Sequence, residues 1–144
     1  MLRGARGLRV SATTQAAAVN EYDVALKNIL TRPGTAVLTL LTGSSSFRWL
    51  NVEVPKVNNR RVDLLGEAPN GELTHIELQA ANEKDFPLHM ARYLVEITER
   101  FVRVPRQVAL YVGAPRLRMK NSLGGPGLSF RLDMVDIRDL DGSA

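Results

Sequence analysis

The clearest alternation of apolar and polar positions runs from residue 86 to residue 101. Phe86, Met90, Leu94, Ile97 and Phe101 step by four, four, three and four, which lays one apolar stripe along an α-helix. Asp85 stands where a cap belongs, Pro87 is tolerated in a first turn, and Pro105 stops the element. Glu96/Arg100 and Glu99/Arg103, each acid one turn ahead of its base, suit the wet face. Upstream, Asn20 can cap a helix whose first turn carries Glu21 and Asp23, with Tyr22, Ala25, Leu26 and Ile29 as its stripe and Pro33-Gly34 as its end. Val37, Leu40 and Leu41, with Gly43 as a stop, predict a short second helix, although Thr and Val there also suit a strand.

The remaining apolar runs have strand character. Residues 49–54 (WLNVEV) are closed by Pro55, and residues 61–66 (RVDLLG) and 73–80 (LTHIELQA) flank Pro69-Asn70-Gly71, a strong hairpin signal. Residues 107–112 (QVALYV) read as a buried strand, residues 124–127 (GGPG) as a loop, and residues 129–137 as a last strand. The order predicts an α/β fold in which a mixed sheet is flanked by helices.

Composition narrows the chemistry. A chain of 144 residues without Cys and with two His, His75 and His89, excludes disulfides, thiolate zinc sites and cysteine nucleophiles, so a metal would depend on oxygen ligands. No apolar run approaches the ~20 residues of a spanning helix, and a cytoplasmic protein without membrane contact is the expectation. Residues 1–20, with Arg3, Arg6 and Arg9 and no acid, read as a flexible leader ahead of a single domain over 21–144. The net charge of +4 conceals a segregation: residues 62–99 hold eight acids against Lys84 and Arg92, whereas residues 100–120 hold six bases and no acid. Such flanks could hold a polyanion beside a cation, or be solvated faces.

Within the acidic segment, the hairpin brings Asp63 and Glu77 toward one region, and Glu77 and Gln79, two apart on a strand, share a face. Carboxylates interrupting apolar runs need compensation. A Mg²⁺ ion would supply it, taking one or two carboxylates and completing its shell with water and phosphate oxygens. Ion pairs with Arg60, Arg61 or Arg92 would supply it equally. His75 shares the same strand face, as a general base or as a satisfied buried histidine, and Trp49 reads as core.

The runs RRVDLLGEAPNGELTHIELQ (60–79), DFPLHMARY (85–93) and QVALYVG (107–113) resemble the PD-(D/E)XK nuclease superfamily, and within it the bacterial recombination-promoting nuclease and transposase-like family. The likeness spans roughly residues 21–140. It implies a restriction-endonuclease-like fold with Asp63 and Glu77 as metal ligands and catalytic acids, the Leu78 carbonyl as a third ligand, and Gln79 where the catalytic Lys usually stands. Glu21 or Asp23 would be the additional acid of many members. His89 replaces the Arg of the family's R-M-x-x-Y signature, and Tyr93 keeps its Tyr. The implied activity is Mg²⁺-dependent hydrolysis of DNA phosphodiesters in transposition or recombination. Arg60, Arg61, Arg100 and Arg103, joined by Arg106, Arg116, Arg118 and Lys120, would hold the backbone without sequence specificity, and a homodimer would suit a double-strand cutter. The alternative is a catalytically silent nuclease fold that binds nucleic acid or a protein partner, and a weaker one is a structural domain with an ordinary ion-pair network.

Overall fold

The computed structural model of the chain describes residues 12–32, 35–50 and 63–140. In chain order they form helices α1 (Ala12–Thr31) and α2 (Ala36–Thr42), strands β1 (Arg48–Trp49), β2 (Leu64–Glu67) and β3 (Leu73–Gln79), helix α3 (Phe86–Phe101), strands β4 (Arg106–Tyr111), β5 (Ser122–Gly125), β6 (Leu128–Arg131) and β7 (Asp133–Asp136), and a last 3-10 turn. The main sheet has the order β1-β2-β3-β4-β7. Its first three strands are antiparallel neighbours, whereas β4 and β7 run parallel to β3. This is the mixed α/β sheet flanked by helices that the apolar pattern predicts.

The sheet is covered on both faces. Alternate strand residues Leu65, Leu73 and Ala109 pack against Phe86, Met90, Tyr93 and Ile97 of α3; of the predicted stripe Phe86, Met90 and Ile97 are buried, Leu94 and Phe101 are half-buried, and Tyr93, one residue off it, is buried too. On the other face Val108 and Leu110, with Leu64 and Leu78 at the margin, meet Leu30 of α1 and Leu41 of α2. Strands β3 and β4 are buried on both sides; β4 reads as an apolar run from Val108 to Tyr111, whereas β3 buries Thr74, His75, Glu77 and Gln79 among its apolar residues.

Several boundaries differ from expectation for local reasons. Helix α1 begins at Ala12, ahead of Asn20, because the Ala-rich stretch before Asn20 has strong helix propensity. Asp85 occupies the N-cap position of α3 without a side-chain cap bond, and the helix ends at Phe101, with Val102 in the left-handed region at φ 55°. That leaves Arg103 beyond the helix, so the Glu99/Arg103 pair gives way to contacts with the β2–β3 hairpin. The expected last strand over 129–137 divides at Leu132. Its first part, β6, pairs with β5 in a separate ribbon that includes Gly124 and Gly125 of the expected loop, and its second part, β7, joins the main sheet. Of the strand expected over 49–54 only Trp49 and Leu50 lie among the described residues. Trp49 stacks on Phe47 over Gly66, where a Cβ would meet Phe47 Cδ1 at 2.9 Å, so it is half-buried at the sheet edge and lies outside the core expected for it.

Candidate functional site

The register of the hairpin decides where the two carboxylates meet. Leu64 pairs with Ile76 and Leu65 with His75, so Asp63, just ahead of β2, comes beside Glu77 near the end of β3. Two hydrogen bonds close this contact. The Asp63 N–H donates to Glu77 Oε2 at 3.4 Å, and the Leu78 N–H donates to Asp63 Oδ2 at 2.9 Å.

The other oxygen of Asp63 meets a cation from a different element. Lys27 Nζ on α1 lies 2.8 Å from Asp63 Oδ1 and 2.7 Å from Asp23 Oδ2. Arg60 and Arg61, alternative partners from the sequence, fall outside the described residues, and Arg92 is exposed on α3. Burial pushes the Asp63 carboxyl up to about 6, with the neighbouring Glu77 charge acting in the same sense, while Lys27 and the Leu78 N–H oppose them. For Lys27 the largest influence, burial, acts downward, but Asp23 and Asp63 together hold its ammonium above the ordinary range. Two adjacent carboxylates and one ammonium therefore leave an excess of negative charge in a partly dry place.

A buried polar chain fixes Glu77 from beneath. Gln107 Nε2 donates to the Met90 carbonyl at 2.9 Å and lies 3.0 Å from His75 Nδ1. The reversed amide would set oxygen against oxygen at Met90, so the amino group faces both neighbours and Nδ1 accepts. His75 then carries its proton on Nε2 and donates it to Glu77 Oε2 at 2.9 Å. The amide oxygen is left buried without a hydrogen-bond partner among the described residues, the cost of this orientation. Tyr93 packs edge-on against the imidazole at 5.5 Å. His75, fully buried, thus behaves as a satisfied histidine that orients a carboxylate.

The other expected residues fall into two groups. Gln79 lies on the Glu77 face, but its amide donates to the Ala81 carbonyl at 2.9 Å. Leu78 contributes its backbone at Asp63. Asp23 reaches the cluster through Lys27, whereas Glu21, two residues away and so on another side of the helix, is exposed. His89 Nδ1 lies 3.4 Å from Glu83 Oε2 at the start of α3. Arg103 is engaged at the turn end of the hairpin, with Glu67 Oε2 at 2.9 Å and the Gly71 carbonyl at 2.7 Å, and Arg106 binds Asp133 and the Thr42 carbonyl. Sequence reasoning missed Lys27 and Gln107. The Asp23/Lys27 spacing of one helical turn was the available signal for the first; nothing local marked the second.

Among the described residues no group of three or more His, Cys, Asp or Glu is placed to share a metal ion, and no helix is long and apolar enough to cross a membrane. No family model matches the chain, and no curated protein matches it. Among solved structures, the EndoMS–dsDNA2 complex is similar at 17% identity and TM-score 0.38, over 62% of this chain and 34% of that one. A repair endonuclease from Pyrococcus abyssi is similar at 15% identity and TM-score 0.37, over 74% of this chain and 40% of that one. The chain therefore spans well under half the length of either.

Proposed function

We propose that the chain is a Mg²⁺-dependent endonuclease-like hydrolase of DNA phosphodiester bonds, of the kind used in transposition or recombination. The observation that carries this reading is the meeting of Asp63, just ahead of β2, with Glu77 of β3, with Asp63 pushed to about 6 by burial and by Glu77. Paired carboxylates in an electrostatically unfavourable place are a functional signature, because an arrangement selected for stability alone would neutralise them.

The donors present fit a Mg²⁺ ion. Asp63 and Glu77 would hold it, and the Leu78 carbonyl would join them, because a strand residue points its N–H and C=O to the same neighbour and the Leu78 N–H already meets Asp63. Bound there, the ion would acidify a water and neutralise charge on the phosphate. The chain's own groups do the positioning. His75, fixed by Gln107 and Met90, holds Glu77 in one orientation, and the Leu78 N–H holds Asp63. Lys27 supplies the nearest positive charge and donates to Asp63, a place from which its ammonium can bind a phosphate oxygen or water once the carboxylate has another partner.

One observation favours a second reading, a nuclease fold that binds nucleic acid without cutting it: the Gln79 amide is committed to the Ala81 carbonyl and brings no charge to the site. Titration calorimetry with Mg²⁺ and a plasmid nicking assay decide between them. The enzyme reading expects Mg²⁺ binding and nicking that both disappear in Asp63→Asn. Nicking that persists in that variant overturns the assignment, and DNA binding with neither metal uptake nor nicking favours the silent fold.

A further inference from the structure

The basic residues that follow β4 have an arrangement of their own, which starts at the same end of the sheet as Asp63 and Glu77. Strand β3 runs toward Gln79, parallel β4 ends beside it at Tyr111, and antiparallel β2 starts there. The segment leaving β4 is locked onto this end. A Cβ at Gly113 would collide with the Tyr111 hydroxyl and the Ala80 carbonyl, the Tyr111 hydroxyl donates to the Pro115 carbonyl at 2.7 Å, and Arg138 reaches the Ala114 and Pro115 carbonyls. Asn82, just past β3, then acts as a strand rung. Its amide donates to the Arg116 carbonyl at 2.9 Å and accepts from the Arg118 N–H at 2.7 Å.

From that anchor residues 116–120 alternate. Leu117 and Met119 are half-buried, Met119 against the α3 core, while Arg116, Arg118 and Lys120 are exposed. In the β5–β6 ribbon that follows, where β5 is exposed throughout, Leu123 pairs with buried Phe130 and Ser122 with exposed Arg131. Directly opposite residues share a face, so Arg131 stands on the same side as Lys120. These four cations make no side-chain ion pair or hydrogen bond among the described residues, in contrast to Arg48, Arg103, Arg106 and Arg138, each bound to a carboxylate. Residues 116–131 contain no acid.

We infer that Arg116, Arg118, Lys120 and Arg131 form a ladder that grips the phosphodiester backbone of a nucleic acid, starting at the Asp63/Glu77 end of the sheet and running toward its other end, where the Asn121 carbonyl accepts from the Leu132 N–H just ahead of β7. Alternate residues of an extended segment recur every ~6.6 Å on one face, which matches a row of regularly spaced charges rather than a single anion. A firmly anchored row of unpaired cations loses little conformational freedom on binding. The inference deepens the proposed function by locating a substrate surface that starts beside its carboxylates, and it moves the phosphate contacts from Arg100 and Arg103 to the segment that follows β4.

The test is fluorescence anisotropy with labelled DNA and RNA duplexes in EDTA, across a salt series. It compares the full chain with Arg116→Gln/Arg118→Gln/Lys120→Gln and with Arg48→Gln/Arg100→Gln/Arg103→Gln. The ladder variant is expected to bind about tenfold or more weakly at ~0.1 M salt, with the slope of log affinity against log salt smaller by roughly 2–3, because about one counterion is released per phosphate contact. Its thermal midpoint should be unchanged, since the three side chains are exposed and unpaired. The duplex that shows the difference, DNA or RNA, identifies the substrate. Equal losses in both variants, or no loss in the ladder variant, overturn the inference. Asp63→Asn separates it from the enzyme reading: ladder-dependent binding without nicking in any protein keeps the surface and removes the catalysis.

Discussion

The β2–β3 hairpin carries a carboxylate cluster at each end, and the two behave in opposite ways. At the turn end, Arg103 and Arg48 reach Glu67 at 2.9 and 3.0 Å and hold its carboxyl below the usual range, Arg103 being the stronger influence. At the other end, Asp63 has a lysine at 2.8 Å and a backbone N–H at 2.9 Å, yet its carboxyl is pushed up to about 6. The number of partners does not explain the difference. Both side chains are only about one-fifth exposed or less, but Glu67 has two cations to itself, whereas Asp63 lies beside a second carboxylate and shares its lysine with Asp23. The first is a structural ion pair; the second is an arrangement that another cation would relieve.

The strongest test of this contrast is catalytic. Asp63→Asn should lower Mg²⁺-dependent plasmid nicking by ~10³-fold or more, because the metal's charge stabilisation is worth several kcal/mol. Glu67→Gln, the same chemical change at the other end, should leave nicking within about twofold, as the loss of an exposed structural pair predicts. If the two substitutions cost the same, the ends do not differ in function.

The same contrast appears in stability against pH with no metal present. The Asp63 carboxyl rises from 3.8 to about 6 on folding, so the folded state binds its proton more tightly and stability falls as pH rises between those values. That rise corresponds to on the order of 3 kcal/mol. Asp63→Asn, which mimics the protonated form, should therefore be more stable than the parent above pH 6 by up to that amount, with the advantage fading toward pH 4. Glu67 has the opposite sign: its lowered carboxyl contributes stability above its unfolded value that is lost in acid. Urea denaturation in EDTA at several pH values measures both. An Asp63→Asn protein less stable than the parent at pH 8 would make Asp63 another structural ion pair.

Much of this was legible in the sequence because local and global signals agreed. The four-four-three-four spacing of α3 survived into the core, and Asn70-Gly71 fixed the register that sets Asp63 against Glu77. Lys27 was not legible as a site residue. It lies far from Asp63 in sequence, and its short-range partner Asp23 explains it as an ordinary helix-surface pair. The His75–Gln107 contact crosses two parallel strands joined by a helix, and a parallel register has no turn to announce it. The β5–β6 ribbon escaped because its glycines and largely exposed positions lack the apolar alternation of a half-buried strand.

A double-mutant cycle sharpens the role assigned to Lys27. Lys27→Met in the parent leaves Asp63 buried with only a backbone donor and should cost about 1–3 kcal/mol in EDTA at pH 8. In the Asp63→Asn background the same change should cost little, because no buried charge remains to be countered. Mg²⁺ should also restore more stability to Lys27→Met than to the parent, since the ion replaces the missing charge. Equal costs of Lys27→Met in both backgrounds would mean that its energetics belong to Asp23 and to packing.

The smallest effect is expected at the turn end. Arg103 is about two-fifths exposed and its partner about one-fifth, so water and salt screen the pair even though its geometry is good. Arg103→Gln should cost about 0.5–1 kcal/mol at low ionic strength, part of it from the bond to the Gly71 carbonyl. That cost should shrink in ~1 M salt, where the Debye length is about 3 Å, leaving only the carbonyl bond. The Lys27 cost at the buried end should persist under the same conditions, because screening ions do not reach a pair held between a helix and a strand end as readily as one in open water. Denaturant titrations of both variants at low and high salt separate the two ends: loss of both costs in salt would make the Lys27–Asp63 contact as screened as the Arg103–Glu67 pair.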